Sequence, residues 1–231
     1  MADNLEGAPK PTLLSGMGKT HIVLPASFLM SASHGLITFG MVYYLRDAYG
    51  ASAAVIGRFT AFYSLSYLAW CLLLKPLLSS LLPRRSMMIS SAVMGTSVAG
   101  ILLIRSLDTG FLLYGMFGFS IAFFWPPLMG WLSAEREGPE LTRTMGRFNL
   151  ACSSANVAAP LLAGLLFDIG PVLPIAAGIA AVFAVFFFVL AAALVLPRFR
   201  ADTYREPRSR EEAGPENRTP VRHIARLGVF S

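Results

Sequence analysis

The chain has 231 residues, of which 55% are hydrophobic and only 14% charged, and its mean hydropathy is +0.60. That excludes an ordinary soluble domain, in which charged residues make up about a quarter of the total. A formal charge of +6 and a pI near 9.7 match a nucleic-acid binder in size but not in distribution. Such proteins gather Lys and Arg on one folded face, whereas here they sit between apolar runs, so no nucleic-acid partner is expected.

A helix crossing ~30 Å of hydrocarbon at ~1.5 Å per residue needs roughly 20 apolar residues. Residues 22–45 form the first such run. It starts too far from the N-terminus for a cleaved signal, lacks a small-x-small site, and ends in Tyr43-Tyr44-Leu45-Arg46, an interfacial aromatic-basic anchor. Four further runs follow at 53–74, 86–104, 111–132 and 148–167. The sixth, 171–196, is Phe-rich around Phe183, Phe186, Phe187 and Phe188 and apolar on every face, too long for a strand and too uniform for a surface helix. Cys71 and Cys152 fall inside these runs and read as small buried hydrophobes. The expected fold class is an all-α membrane protein with six transmembrane helices in a lipid bilayer.

Orientation follows from the basic residues. With the N-terminus inside, sixteen of the nineteen Lys and Arg lie on the inner side, and only Arg46, Arg58 and Arg105 lie outside. Both termini are then cytoplasmic, and a plasma membrane, the inner membrane in a bacterium, is the expected location. The domain organisation expected is a cytoplasmic segment at 1–21, a six-helix domain at 22–197, a basic and disordered loop or tail at 198–222, and at 223–231 the possible start of a seventh, truncated span.

Polar groups within spans are costly in lipid and turn toward the bundle or a cavity. In the first span Ser31, His34 and Thr38 share one helical face. The second carries Thr60, Ser64 and Tyr67, the fourth Tyr114, Gly118, Ile121 and Trp125, and the fifth Asn149, Ser153 and Asn156 before Pro160. Spans one, two, four and five are therefore expected to line an interior, and three and six to face lipid. Ser, Thr and Asn stripes serve equally as interhelical hydrogen-bonding glue. His34, the one ionisable residue near a span midpoint, reads either as a proton-handling or solute-binding group or as a neutral imidazole bonded to a neighbouring helix. Pro126 and Pro127 remove two backbone donors and should kink or end the fourth span, with Trp125 beside them as a cavity wall. The candidate substrate cavity is thus Ser31, His34, Thr38, Tyr114, Trp125, Asn149 and Asn156.

Two glycine patterns point away from catalysis. Gly115, Gly118 and Gly130 form a small-residue packing face and not a phosphate loop, since no strand precedes them. Gly118-Phe119-Ser120-Ile121 is similar to the GxSG of six-span intramembrane serine proteases but lacks the second glycine, and the sixth span offers no histidine as base. No enzyme activity, cofactor or metal is expected.

The stretch from Gly118 to Asp168 carries a family resemblance. Phe124-Trp125-Pro126 ends the fourth span, Glu135 follows it, Arg143 and Arg147 lead into the fifth, and Ala159-Pro160-Leu161-Leu162-Ala163-Gly164 is similar to a Gly-Pro-x-x-Gly motif. In that order, with short outer loops and a basic loop after span two, the chain resembles the N-terminal half of a major facilitator superfamily transporter over residues 22–197. The loop between spans two and three keeps the basic pair Arg84-Arg85 without the family's Asp, and the fourth span lacks the family's Arg near its start. The resemblance implies two inverted three-helix repeats, a solute site between two six-helix halves, and a cytoplasmic charge latch of Arg84 or Arg85 with Glu135. It implies transport of a small solute, neutral or amphipathic given the few midplane charges, by alternating access with a second half or in a homodimer. The alternative is a non-transporting six-helix remnant or assembly subunit that binds another membrane protein.

Overall fold

The computed structural model describes residues 19–73, 82–133 and 138–195. Among these the regular elements are seven helices: α1 (Lys19–Tyr49), α2 (Ala53–Leu73), α3 (Pro83–Ile104), α4 (Leu107–Ala122), α5 (Trp125–Ser133), α6 (Gly138–Ile169) and α7 (Leu173–Val195). The six expected spans correspond to α1, α2, α3, α4 with α5, α6 and α7. The expected N-terminal segment up to residue 18, the segment at 198–222, the one at 223–231 and Glu135 lie outside the described residues. Five spans are long and apolar enough to cross a membrane. α2 has the length, at 21 residues, but Arg58, Thr60, Ser64 and Ser66 dilute its apolar character.

α6 begins ten residues before the fifth apolar run, because Pro139 is tolerated in its first turn and the residues from Glu140 to Arg147 continue the helix. Pro25 in α1 and Pro160 in α6 are absorbed inside helices. At one end of the bundle the connections are short. Gly50, at a φ of 58°, turns the chain after α1 so that the Ala51 N–H reaches the Leu45 carbonyl at 3.1 Å. Ser106 caps α4 by accepting from the Thr109 N–H, and Asp108 sits favourably in the first turn.

The packing is internally symmetric. α1 lies against α6 and α7, α4 lies against α2 and α3, and α3 meets α7. Exchanging α1, α2 and α3 for α4, α6 and α7 leaves this set of neighbours unchanged. Because short connections make successive spans antiparallel, the exchanged helices run in opposite directions. The six spans are therefore two inverted three-helix repeats.

Apolar faces gain little by meeting each other in lipid, so close contact depends on small residues. A side-chain carbon at Gly35 would strike the Ala159 side chain, and one at Gly178 would lie 2.6 Å from Ile37 Cγ1. At Gly118 it would strike the Tyr63 carbonyl, so α2 and α4 touch backbone to backbone there. Gly115 meets Phe62 in the same contact, but Gly130 faces open space and takes no part. The packing face expected from Gly115, Gly118 and Gly130 is therefore confined to the first two.

The tandem prolines break the fourth span just ahead of themselves. Phe123 and Phe124 donate to Ser120 and Ile121 in tight i to i−3 bonds of 3.1 and 3.0 Å, and α5 resumes at Trp125. Pro126 and Pro127 occupy the two positions that normally supply an N–H to the Phe123 carbonyl. The Ser86 hydroxyl of α3 donates to that carbonyl instead, and Ser90 donates to the Ser120 carbonyl at 2.6 Å. Both serines are fully buried. This corrects the expectation that span three faces lipid: α3 buries Ser86, Ser90, Ser91 and Ser97, and it is α2, with Phe59 alone buried, and α6 that are the least buried spans. Ser91, by contrast, donates within its own helix to Met87. Ser86→Ala should destabilise the protein by about 1–3 kcal/mol, the cost of a stranded buried carbonyl, and Ser91→Ala by much less. Thermal unfolding of the purified variants in one detergent measures the difference.

Candidate functional site

His34 sits near the middle of α1, half-buried. Its Nε2 is 2.6 Å from the Tyr63 hydroxyl of α2. The tautomer decides which group donates. The imidazole also lies 5.8 Å from the Phe117 ring of α4 and 5.9 Å from the Tyr63 ring. Tyr63 in turn stands 5.3 Å from Tyr114 and 5.4 Å from Phe117, and these last two stack with parallel planes at 5.3 Å. α1 belongs to the packing group of α6 and α7, whereas α2 and α4 pack together. The His34–Tyr63 bond thus ties the two groups across the front of the bundle.

The residues around the imidazole are aromatic, and among the described residues no carboxylate, lysine or arginine takes part in the cluster. Aromatic faces and a phenol-imidazole pair bind apolar surface and hydrogen-bonding groups. Thr38 adds little, because its hydroxyl donates back to the carbonyls of His34 and Gly35 at 2.9 and 3.1 Å. Ser31 is buried one turn before His34 and meets the Cys152 thiol of α6. No group of three His, Cys, Asp or Glu able to hold a metal occurs among the described residues.

Two inverted repeats with a polar cluster near the midpoint of the first span are one side of a known transport architecture, and a sequence model of the Major Facilitator Superfamily matches residues 23–230. The chain belongs to the major facilitator superfamily. No curated protein and no solved structure gives a significant match. As a member of this superfamily the protein is a multi-pass membrane transporter, with the lipid bilayer as its surroundings and a small solute as its cargo.

The superfamily assignment does not gather all the expected cavity residues into one place. Ser31, His34, Thr38 and Tyr114 lie on α1 and α4 at or beside the cluster. Trp125 is half-buried on α5 and packs edge-on against Phe124 at 5.0 Å and Phe148 at 6.0 Å. Asn149 and Asn156 are exposed on α6 together with Ser153. Thr60 and Ser64 of α2 are likewise exposed, so the inward edge of that helix runs instead through Phe59, Tyr63 and Ser66. Tyr63 and Phe117 are the members that the sequence alone does not single out. A signal for Tyr63 existed, since it precedes Tyr67 by one helical turn. For Phe117 there was none, as it is one Phe in an apolar helix. At the other end of the bundle Arg84 and Arg85 stand at the start of α3, with Arg85 exposed, while Glu135, the expected partner of their latch, is not among the described residues.

Proposed function

We propose that the chain is one six-helix half of a secondary transporter that moves a small neutral or amphipathic solute by alternating access, working against a second six-helix unit. The observation that carries this reading is the exposed polar face of α2 and of α6. Ser64, Asn149, Ser153 and Asn156 are exposed there, whereas the Thr60 hydroxyl donates to the Ile56 carbonyl of its own helix. Hydroxyls and amides do not stand bare in hydrocarbon, so this face belongs against water or another polar helix face. A second half related by pseudo-symmetry, supplied by a longer chain or by a second copy, has the right character. In this reading His34, Tyr63 and Tyr114 contact the solute, Ser31 and Thr38 shape the wall behind them, and Trp125, Asn149 and Asn156 line the route to it. Arg84 or Arg85 with Glu135 latches the cytoplasmic side. The excess of Lys and Arg on one set of loops supports cytoplasmic termini in a plasma membrane.

The experiment replaces Cys71 and Cys152 with alanine and then introduces single cysteines at Ser64, Asn156 and Phe187. A membrane-impermeant thiol reagent is expected to modify the first two at least tenfold faster than the third, because Phe187 is 61% exposed near the middle of the uniformly apolar α7 and so lies against lipid. Equal reactivity at all three would remove the water-lined face, and the transport reading with it.

A further inference from the structure

At the end of the bundle closed by the short connections, a cavity of about 630 Å³ opens between the C-terminal ends of α1 and α3 and the start of α7. Its wall includes Tyr44, Asp47, Tyr49, Arg105, Pro171 and Val172, and none of the His34 cluster. Such a volume is in the range of small-molecule sites. Asp47 and Arg105 are both exposed in it, and no ion pair joins them among the described residues. Tyr44 and Tyr49 meet edge-on at 5.8 Å, and their side chains are hydrogen-bonded to each other.

Arg105 is held there against its backbone preference. It is the C-terminal cap of α3 at a φ of 52°, and among the described residues it is the one non-glycine in the left-handed region. Glycine is the usual occupant of that position, since a side chain makes it costly. A long cation at such a position, with its side chain on a cavity wall, points to a role for that side chain in the cavity.

We propose that this cavity binds the aminoethyl-phosphate headgroup of a phosphatidylethanolamine lipid, with the phosphate on Arg105 and the primary ammonium on Asp47. The guanidinium offers paired donors that match phosphate oxygens. Asp47 accepts from the ammonium, and the negative end of the α1 dipole favours the same cation, while at the end of α3 the Arg105 guanidinium offsets the dipole's opposition to the phosphate. The level is right: these helix ends are where the spans leave the hydrocarbon, and tyrosines concentrate there. The lipid side is right as well, because Leu103 and Ile104 beside Arg105, and Val172 and Leu173 beside Pro171, are exposed apolar side chains along which acyl chains lie. A choline headgroup has no N–H to give Asp47, and a glycerol headgroup has no cation at all.

The test follows the unfolding temperature of the purified full chain in detergent as defined lipids are added. Phosphatidylethanolamine is expected to raise it at concentrations at least tenfold below those at which phosphatidylcholine or phosphatidylglycerol acts. That selectivity should vanish in Asp47→Asn and in Arg105→Gly. Arg105→Gly also separates binding from folding, because glycine adopts the left-handed cap freely and its lipid-free unfolding temperature should not fall. Equal responses to the three lipids, or selectivity kept in both variants, would overturn the proposal. So would a response to soluble phosphoethanolamine as strong as that to the lipid, which would assign the cavity to a dissolved zwitterion.

Discussion

Gly118→Leu is expected to destabilise the protein by about 3 kcal/mol or more, at the upper end of the usual cost of overpacking. The reason is the identity of the atom in the way. A side-chain carbon at this position meets the Tyr63 carbonyl, a backbone atom that cannot rotate aside as a side chain can. Relief requires α2 to move off α4. That motion takes Tyr63 from His34 and opens the stack with Tyr114 and Phe117, so packing and site fail together. Gly130→Leu is the matched control, since nothing lies within 4 Å of a side-chain carbon there, and its cost should stay within about 0.5 kcal/mol, as for an ordinary surface change. Thermal unfolding of the two variants and the wild type in one detergent reads both effects. A Gly118→Leu protein as stable as Gly130→Leu would mean that the two helices are not in backbone contact.

Length and apolarity make the spans legible in the sequence, because a helix in lipid must satisfy its own backbone and so writes itself as a long apolar run. The break in the fourth span was legible for a related reason: Pro126 and Pro127 remove donors wherever they stand. What closes the break was not. Ser86 and Ser90 sit on α3, far along the chain from Phe123 and Ser120, and a serine in an apolar helix bonds its own backbone as readily as a neighbour's. Ser91, one residue from Ser90, does so.

The candidate site divides along the same line. His34 stood out because it is an ionisable group where the chain has few. Its partner did not, since Thr60, Ser64 and Tyr67 offered a polar face on α2 as plausible as the one through Tyr63. Which face turns inward was decided by Gly118, whose missing side chain lets the Tyr63 edge of α2 approach α4 most closely. Asn149 and Asn156 are polar groups that need a polar surrounding, but the place they occupy is the exposed face of α6 and not the imidazole. Sequence periodicity assigns residues to a face of one helix; the partner of that face depends on small residues elsewhere.

His34→Ala should reduce uptake or export of the transported solute by about fivefold or more at equal expression, measured in cells with labelled neutral and amphipathic compounds. The size follows from the bond it removes. A polar pair in a site without water is worth about 1–3 kcal/mol when one member is left unpartnered, and each 1.4 kcal/mol is roughly a factor of ten. Tyr63→Phe separates two roles of the imidazole. It keeps the ring between Phe117 and Tyr114 and deletes the hydroxyl 2.6 Å from Nε2. If the bond serves to orient His34, Tyr63→Phe should lose nearly as much as His34→Ala. If His34 meets the solute on its own, Tyr63→Phe should retain most of the transport that His34→Ala loses. Thr38→Val sets the baseline, because the Thr38 hydroxyl bonds its own helix, and transport should be close to wild type. Wild-type transport by His34→Ala would remove the cluster from the solute path and leave the imidazole as a tie between the two packing groups of the bundle.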